Sequence, residues 1–142
     1  MTVLYAESSA VLTWLLGEPR QKDIVQALSD ADRVVTSSLT VVECSRALAR
    51  ARLARRITSA LELAALRLLD DAAASWNVLD VSDRVVARAR AAFPLEPVRT
   101  LDALHLASAL VFHEAIGSVG VLSLDDRVRG NAHALGMSLT PT

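Results

Sequence analysis

Val3-Leu4-Tyr5-Ala6-Glu7-Ser8-Ser9-Ala10 begins as a short apolar run and ends abruptly in a carboxylate and two hydroxyls. A helical pattern follows at once. The run reads as a buried β-strand that delivers Glu7 to a turn, with Ser8 or Ser9 capping the next helix. In open α/β sheets, ligands bind just beyond the carboxyl ends of strands. Glu7 is therefore a candidate site residue, though a lone acid there proves little.

Working outward, residues 9–16 form a short apolar helix closed by Gly17 and Pro19. Residues 20–31 give an amphipathic helix with Ile24, Val25 and Leu28 on one face, and Arg33-Val34-Val35-Thr36 a second strand. Ser37 and Ser38 lead into a long helix to about Ala54. Ser59-Ala60-Leu61-Glu62 has the capping-box spacing and opens another helix to about Ser75, striped by Leu61, Ala65, Leu68 and Ala72. Residues 76–81 read as a strand, 82–93 as a helix capped by Ser82, and Pro94 and Pro97 bracket a loop. A helix from Thr100 to about Glu114, a strand over 119–124, a helix from Asp125 to near Gly136 and an edge strand at 138–140 complete the chain. Strands alternating with helices imply an α/β fold with a mainly parallel sheet. With no repeat, low-complexity tract or linker, residues 1–142 read as a single domain.

Composition bounds the function. The chain is 52% hydrophobic and 22% charged, which is globular, and 142 residues suffice to bury a core. A mean hydropathy of +0.35 comes from Ala and Leu spread through periodic segments. The longest apolar candidate, residues 101–122, is broken by Asp102, His105, His113 and Glu114, so no membrane span is expected. Met1 leads straight into strand with no secretory pattern, and the single cysteine, Cys44, reads as a small buried hydrophobe. A cytoplasmic protein is the expectation. The net charge of −1 offers no global field for nucleic acid.

Three later acids join Glu7. Each has an ordinary explanation: Glu43 could close a capping box from Thr40 or pair with Arg46, Asp102 suits the first turn of its helix, and Asp125 is a helix N-cap. Jointly they say more. Glu7 and Asp125 follow strand ends, while Glu43 and Asp102 lie early in helices, and a parallel sheet brings these positions to one edge. Clustered carboxylates raise one another's pKa values unless a cation neutralises them. Oxygen donors without a Cys/His cluster suit Mg²⁺ or Mn²⁺, which points to metal-assisted phosphodiester chemistry. No Gly-rich phosphate loop, Cys-x-x-Cys pair or Gly-x-Ser-x-Gly elbow competes.

Glu7-Ser8-Ser9-Ala10, Glu43 with Leu48 and Arg50, Arg99-Thr100-Leu101-Asp102-Ala103-Leu104-His105-Leu106-Ala107, and Leu122-Ser123-Leu124-Asp125 with Leu135-Gly136 together resemble the PIN-domain ribonucleases. The likeness is greatest to the VapC-like toxins of toxin–antitoxin pairs, and it spans the chain. It implies a three-layer α/β/α sandwich and a Mg²⁺- or Mn²⁺-dependent endoribonuclease. A homodimer and a cognate antitoxin that blocks the site are also implied. On this resemblance Glu7, Asp102 and Asp125 hold metal, and Glu43 completes the cage or orients a water. Ser9 and Ser123 match hydroxyls beside the acids, with Asp126 assisting Asp125. Glu7 is a departure, because the family usually has Asp there. The extra methylene moves the carboxylate by about 1 Å, enough to impair catalysis. A PIN-like module that binds RNA or antitoxin without efficient cleavage is the alternative.

Arg46, Arg50, Arg52, Arg55 and Arg56 form a basic run that could hold RNA phosphates or an acidic partner segment, or simply suit a solvated helix end. His105, one turn after Asp102, reads as a structural histidine. Trp14 and Trp76 read as core or interface anchors. A receiver-like phosphoacceptor domain fits poorly, because the only lysine is Lys22, near the front of the chain.

Overall fold

The computed structural model describes residues 1–142. Its first strand, β1 (Val3–Ala6), is buried throughout, and its side chains alternate between two cores. Val3 and Tyr5 face one, Leu4 and Ala6 the other. The same alternation recurs at Val34 and Val35 of β2 (Arg33–Ser37) and at Val121 and Leu122 of β4 (Gly120–Leu122). With β3 (Asn77–Leu79) and β5 (Ser138–Thr140) these strands form a five-stranded sheet in the order β3-β2-β1-β4-β5. Every pairing is parallel. Burial on both faces explains why the central strands β1, β2 and β4 read as apolar runs, whereas the edge strands β3 and β5 are more exposed.

Helices α1 (Ser8–Leu16), α2 (Gln21–Asp30), α3 (Ser38–Leu53) and α4 (Ser59–Ser75) supply Ala10, Val11, Ile24, Cys44 and Leu69 to one core. The opposite core takes Ala103, Leu106, Ala109 and Leu110 from α6 (Thr100–Ile116), and Val128 and Ala132 from α7 (Asp126–Ala134). Ala89 of α5 (Asp83–Ala89) packs against it. This is the parallel α/β fold expected from the alternation of elements, in the α/β/α sandwich that the PIN resemblance implied. No helix is long and apolar enough to cross a membrane. Cys44 is fully buried, and burial, reinforced by the charges of Glu43 and Glu7, pushes its thiol up to about 12.

Several local expectations are corrected. The N-cap of α1 is Glu7, whose carboxylate accepts from the Ser9 N–H, and neither Ser8 nor Ser9 has that role. Ser37 caps α3 through the Leu39 N–H, and Thr40 bonds Thr36 instead of forming a box with Glu43. Thr58 caps α4, one residue before the expected serine, and Glu62 pairs with Arg52 at 2.6 Å. On α4 the buried residues are Ala65 and Leu69, while Leu61 and Leu68 are exposed. Helix α5 stops at Ala89, short of Phe93, because the Glu96 carboxylate takes the N–H groups of Phe93 (3.0 Å) and Val98 (2.9 Å). Pro94 further disfavours helix at Phe93. The fourth strand ends at Leu122, two residues short of the expected Leu124, although the Ser123 N–H still donates to the Thr140 carbonyl of β5 at 3.1 Å.

Candidate active site

The chain leaves β1 for β2 and β3 on one side and returns to β4 on the other, so the sheet reverses direction at β1. Ligand crevices in open parallel sheets form at such a reversal, beyond the strand ends. Glu7 leaves β1 there, and Ser123 and Asp125 follow β4.

Glu7 is 5% exposed and held by Oε2. That oxygen accepts from the Ser9 N–H at 3.0 Å, the Ser9 hydroxyl and the Ser123 hydroxyl at 2.9 Å. Ser9 Oγ in turn accepts from the Leu124 N–H at 2.9 Å, tying the β4 exit to the start of α1. Burial raises the Glu7 pKa, with the Ser9 hydrogen bond, the charge of His105 and the Ser123 hydrogen bond opposing. Ser9 and Ser123, matched by resemblance to hydroxyls beside the acids, both sit against Glu7.

Glu43, on the second turn of α3, is half-buried and does not pair with Arg46. Its Oε1 accepts from Ser8 Oγ at 2.9 Å and bonds His105 Nε2. Burial works to raise its pKa, but the hydrogen bond and charge of His105, with Ser8 and Arg50, outweigh it and hold the carboxyl low. His105 is fully buried, and its Nδ1 lies 2.7 Å from the Tyr5 hydroxyl. Burial pushes the Tyr5 phenol well above its ordinary range, so it stays protonated. Ser8 and Tyr5 are site residues that pattern reading missed. Each was absorbed into the strand–cap interpretation of the opening stretch.

Asp102 stands in the first turn of α6 with its side chain 16% exposed. Its Oδ2 is buried without a hydrogen-bond partner, and the nearest cation, Arg99 Nε, is 3.9 Å away. Burial and then the charge of Asp125 raise its pKa, Arg99 and His105 oppose, and Glu43 adds to the rise. Asp125 caps α7, its Oδ1 accepting from the N–H groups of Arg127 (2.9 Å) and Val128 (3.2 Å). Asp126 is exposed and turns toward a cleft of about 580 Å³ beside the loop at residues 95–99. Arg129, unremarked in the sequence, braces the exit of β4 by donating to the carbonyls of Ser123 (2.9 Å) and Pro141 (2.7 Å).

The basic run divides. Arg46 and Arg50 line a cleft of about 310 Å³ that also contains Glu43, Leu12 and Leu101. Arg52 is turned away to Glu62 of α4, and Arg55 and Arg56 are exposed at the far end.

No three of the acids gather within ligand distance of one point. The donor set nevertheless suits a hard cation. All the free donors are oxygens, Asp102 Oδ2 lacks a hydrogen-bond partner, and burial together with the Asp125 charge presses the Asp102 carboxyl toward protonation. Glu7 Oε2, Glu43 Oε1 and Asp125 Oδ1 are occupied internally, which leaves each of these acids one oxygen, while Asp102 Oδ2 has no hydrogen-bond partner at all.

Solved structures share this fold. The chain resembles the Mycobacterium tuberculosis VapC20 structure, described as a sarcin-ricin loop cleaving toxin. The two share 16% identity at a TM-score of 0.63 over 94% of this chain and 95% of that one. A toxin–antitoxin complex from Klebsiella pneumoniae gives 16% identity and a TM-score of 0.64, covering 100% of this chain and 98% of that one. FitAB bound to an IR36 DNA fragment gives 15% and 0.64, over 96% and 92%. These likenesses concern the fold. No curated protein sequence matches significantly. The PIN domain family model matches residues 4–133, nearly the whole chain, from β1 through the last helix, and the protein therefore belongs to the PIN domain family.

Proposed function

We propose that the protein is a Mg²⁺- or Mn²⁺-dependent endoribonuclease that acts in the cytoplasm as the toxin of a toxin–antitoxin pair. The observation that carries this reading is the partnerless buried oxygen of Asp102 beside Asp125, at the point where the sheet reverses direction. Family membership and the toxins among its structural neighbours support the biological setting.

Asp102 and Asp125 would hold the cation, with Glu7 as the third acid on that edge. Bound there, it supplies Lewis acidity toward the phosphodiester and an activated water near neutral pH. Ser9 and Ser123 keep Glu7 Oε2 fixed, so its carboxylate does not swing. Glu43 spends Oε1 on Ser8 and His105, leaving Oε2 to accept a hydrogen bond from a water. Arg46 and Arg50 border the same cleft and suit the phosphates of a single strand or an acidic segment of the antitoxin. An antitoxin would block the site most readily by inserting a basic side chain toward the acids.

A second reading is favoured by one observation: the longer Glu7 has its Oε2 filled by three hydrogen bonds. On that reading the domain binds RNA or antitoxin but cleaves poorly. Incubating purified protein with single-stranded RNA and Mn²⁺, against a chelator control, separates the two. Metal-dependent cleavage supports the nuclease, and intact RNA with retained binding supports the module.

A further inference from the structure

We propose that His105 is a positioning residue for Glu43, holding one carboxylate oxygen through Nε2–H while Tyr5 fixes the ring from behind. The inference rests on the nuclease reading above.

A carboxylate can only accept, so the bond between His105 Nε2 and Glu43 Oε1 places the hydrogen on Nε2. With the ring neutral, Nδ1 accepts from the Tyr5 hydroxyl 2.7 Å away; with the ring charged, Nδ1–H donates to the same oxygen, and Nε2–H faces Glu43 in either state. Tyr5 packs edge-on against the imidazole, with ring centroids 6.0 Å apart and an interplanar angle of 67°. The ring is therefore set by a residue of the central strand, itself 1% exposed. Ser8 Oγ adds a second donor to Glu43 Oε1 and lies 3.2 Å from His105 Nε2. The outcome is directional. Glu43 is 27% exposed at its side chain, so one oxygen is tied inward while the other faces the cleft lined by Arg46 and Arg50.

Helix geometry gives the arrangement its purpose. Asp102 and His105 stand three residues apart and share a face of α6. One helix therefore presents Asp102 and also grips Glu43 of α3. Any tilt of α6 moves both acids together, which preserves their relative placement. A buried histidine satisfying itself in the core would need no carboxylate at the cleft edge at the end of its hydrogen-bond chain.

The test uses the full chain with His105→Gln, His105→Asn and Tyr5→Phe. A glutamine amide N–H reaches about where Nε2 lies, whereas asparagine reaches only the Nδ1 place. For cleavage of a single-stranded RNA oligonucleotide with Mn²⁺, His105→Asn should lose about 10- to 100-fold in kcat at nearly unchanged KM. His105→Gln should keep most of the wild-type rate. Equal losses in both variants at equal melting temperature would overturn the proposal. Long-range ¹H–¹⁵N spectra of wild type should show His105 protonated at Nε2, and an Nδ1–H tautomer would overturn it. Tyr5→Phe removes one oxygen and keeps the ring in the core. It should shift the Glu43 side-chain carboxyl resonance through the imidazole, and an unmoved resonance counts against the proposal. If wild type cleaves no RNA, the nuclease reading fails by itself, and the tautomer and the Glu43 resonance decide the positioning claim.

Discussion

Asp102 carries an oxygen that is buried and has nothing to bond, so its charge is a liability in the metal-free fold. Its raised pKa, like that of Glu7, means that folding favours the protonated form relative to the unfolded chain. The stability each contributes is complete below the ordinary carboxylate range and is lost as pH rises through the raised value. Glu43, held low, contributes in the opposite sense: its share is present above the ordinary range and lost on acidification. Asp102→Asn should therefore melt higher than wild type at neutral pH without metal, with the difference vanishing toward acid. Mn²⁺ at tenfold its dissociation constant should stabilise wild type by about 1.4 kcal/mol and the variant by much less, readable in thermal melts. Equal shifts would remove Asp102 from the ligand set. At Glu7, aspartate can keep the cap while withdrawing the carboxylate. Glu7→Asp should raise RNA cleavage, by up to about a hundredfold, and Glu7→Ala should cost about 1 kcal/mol as well as weaken metal binding. If Glu7→Asp leaves the rate unchanged while Asp102→Ala abolishes it, the longer side chain is no handicap. These acids were legible because strand ends and helix starts fall on one edge of a parallel sheet. What Ser8, Tyr5 and His105 do was not legible, because their contacts join residues 35 to 100 positions apart and follow no spacing rule.

Among the elements, type was readable and facing often was not. Helix α4 carries leucines at 61, 63, 66, 68 and 69, which mark no single stripe, so its packing partners chose Ala65 and Leu69. Helix α5 looked longer because Glu96, a loop residue beyond it, is what claims the Phe93 N–H. The loop after α5 is itself clamped to α7. Asn131 accepts from the Leu95 N–H at 2.9 Å and donates to the Leu95 carbonyl at 3.0 Å. Asn131→Ala strands both groups and should lower unfolding stability by about 1–3 kcal/mol, measured by urea titration. Gly17 ends α1 at φ +64°, as its place in the sequence suggested. A side chain there is strained, so Gly17→Ala should cost about 1 kcal/mol in the same titration.

For the whole molecule, the reversal of strand order at β1 placed the acids; the alternation of strands and helices foretold a parallel sheet but not which strands neighbour β1. The surface was less legible. Val42 and Leu53 of α3 and Leu61, Leu63 and Leu68 of α4 are all exposed, more apolar side chain than a lone chain need show water. We expect a homodimer through this face. Light scattering should give twice the chain mass, and Leu61→Glu with Leu68→Glu should halve it, while monomer at high concentration in wild type would count against the idea. The all-parallel sheet has one more consequence, in the order of synthesis. Leu4 pairs with Val34 on one side and Gly120 on the other. A growing chain can therefore set β2 beside β1 early, but the other edge of β1 stays open until β4 has left the ribosome. Glu7 is made near the outset and waits for Asp102, Ser123 and Asp125. The acidic edge of the sheet is therefore complete only once Asp125 has been added.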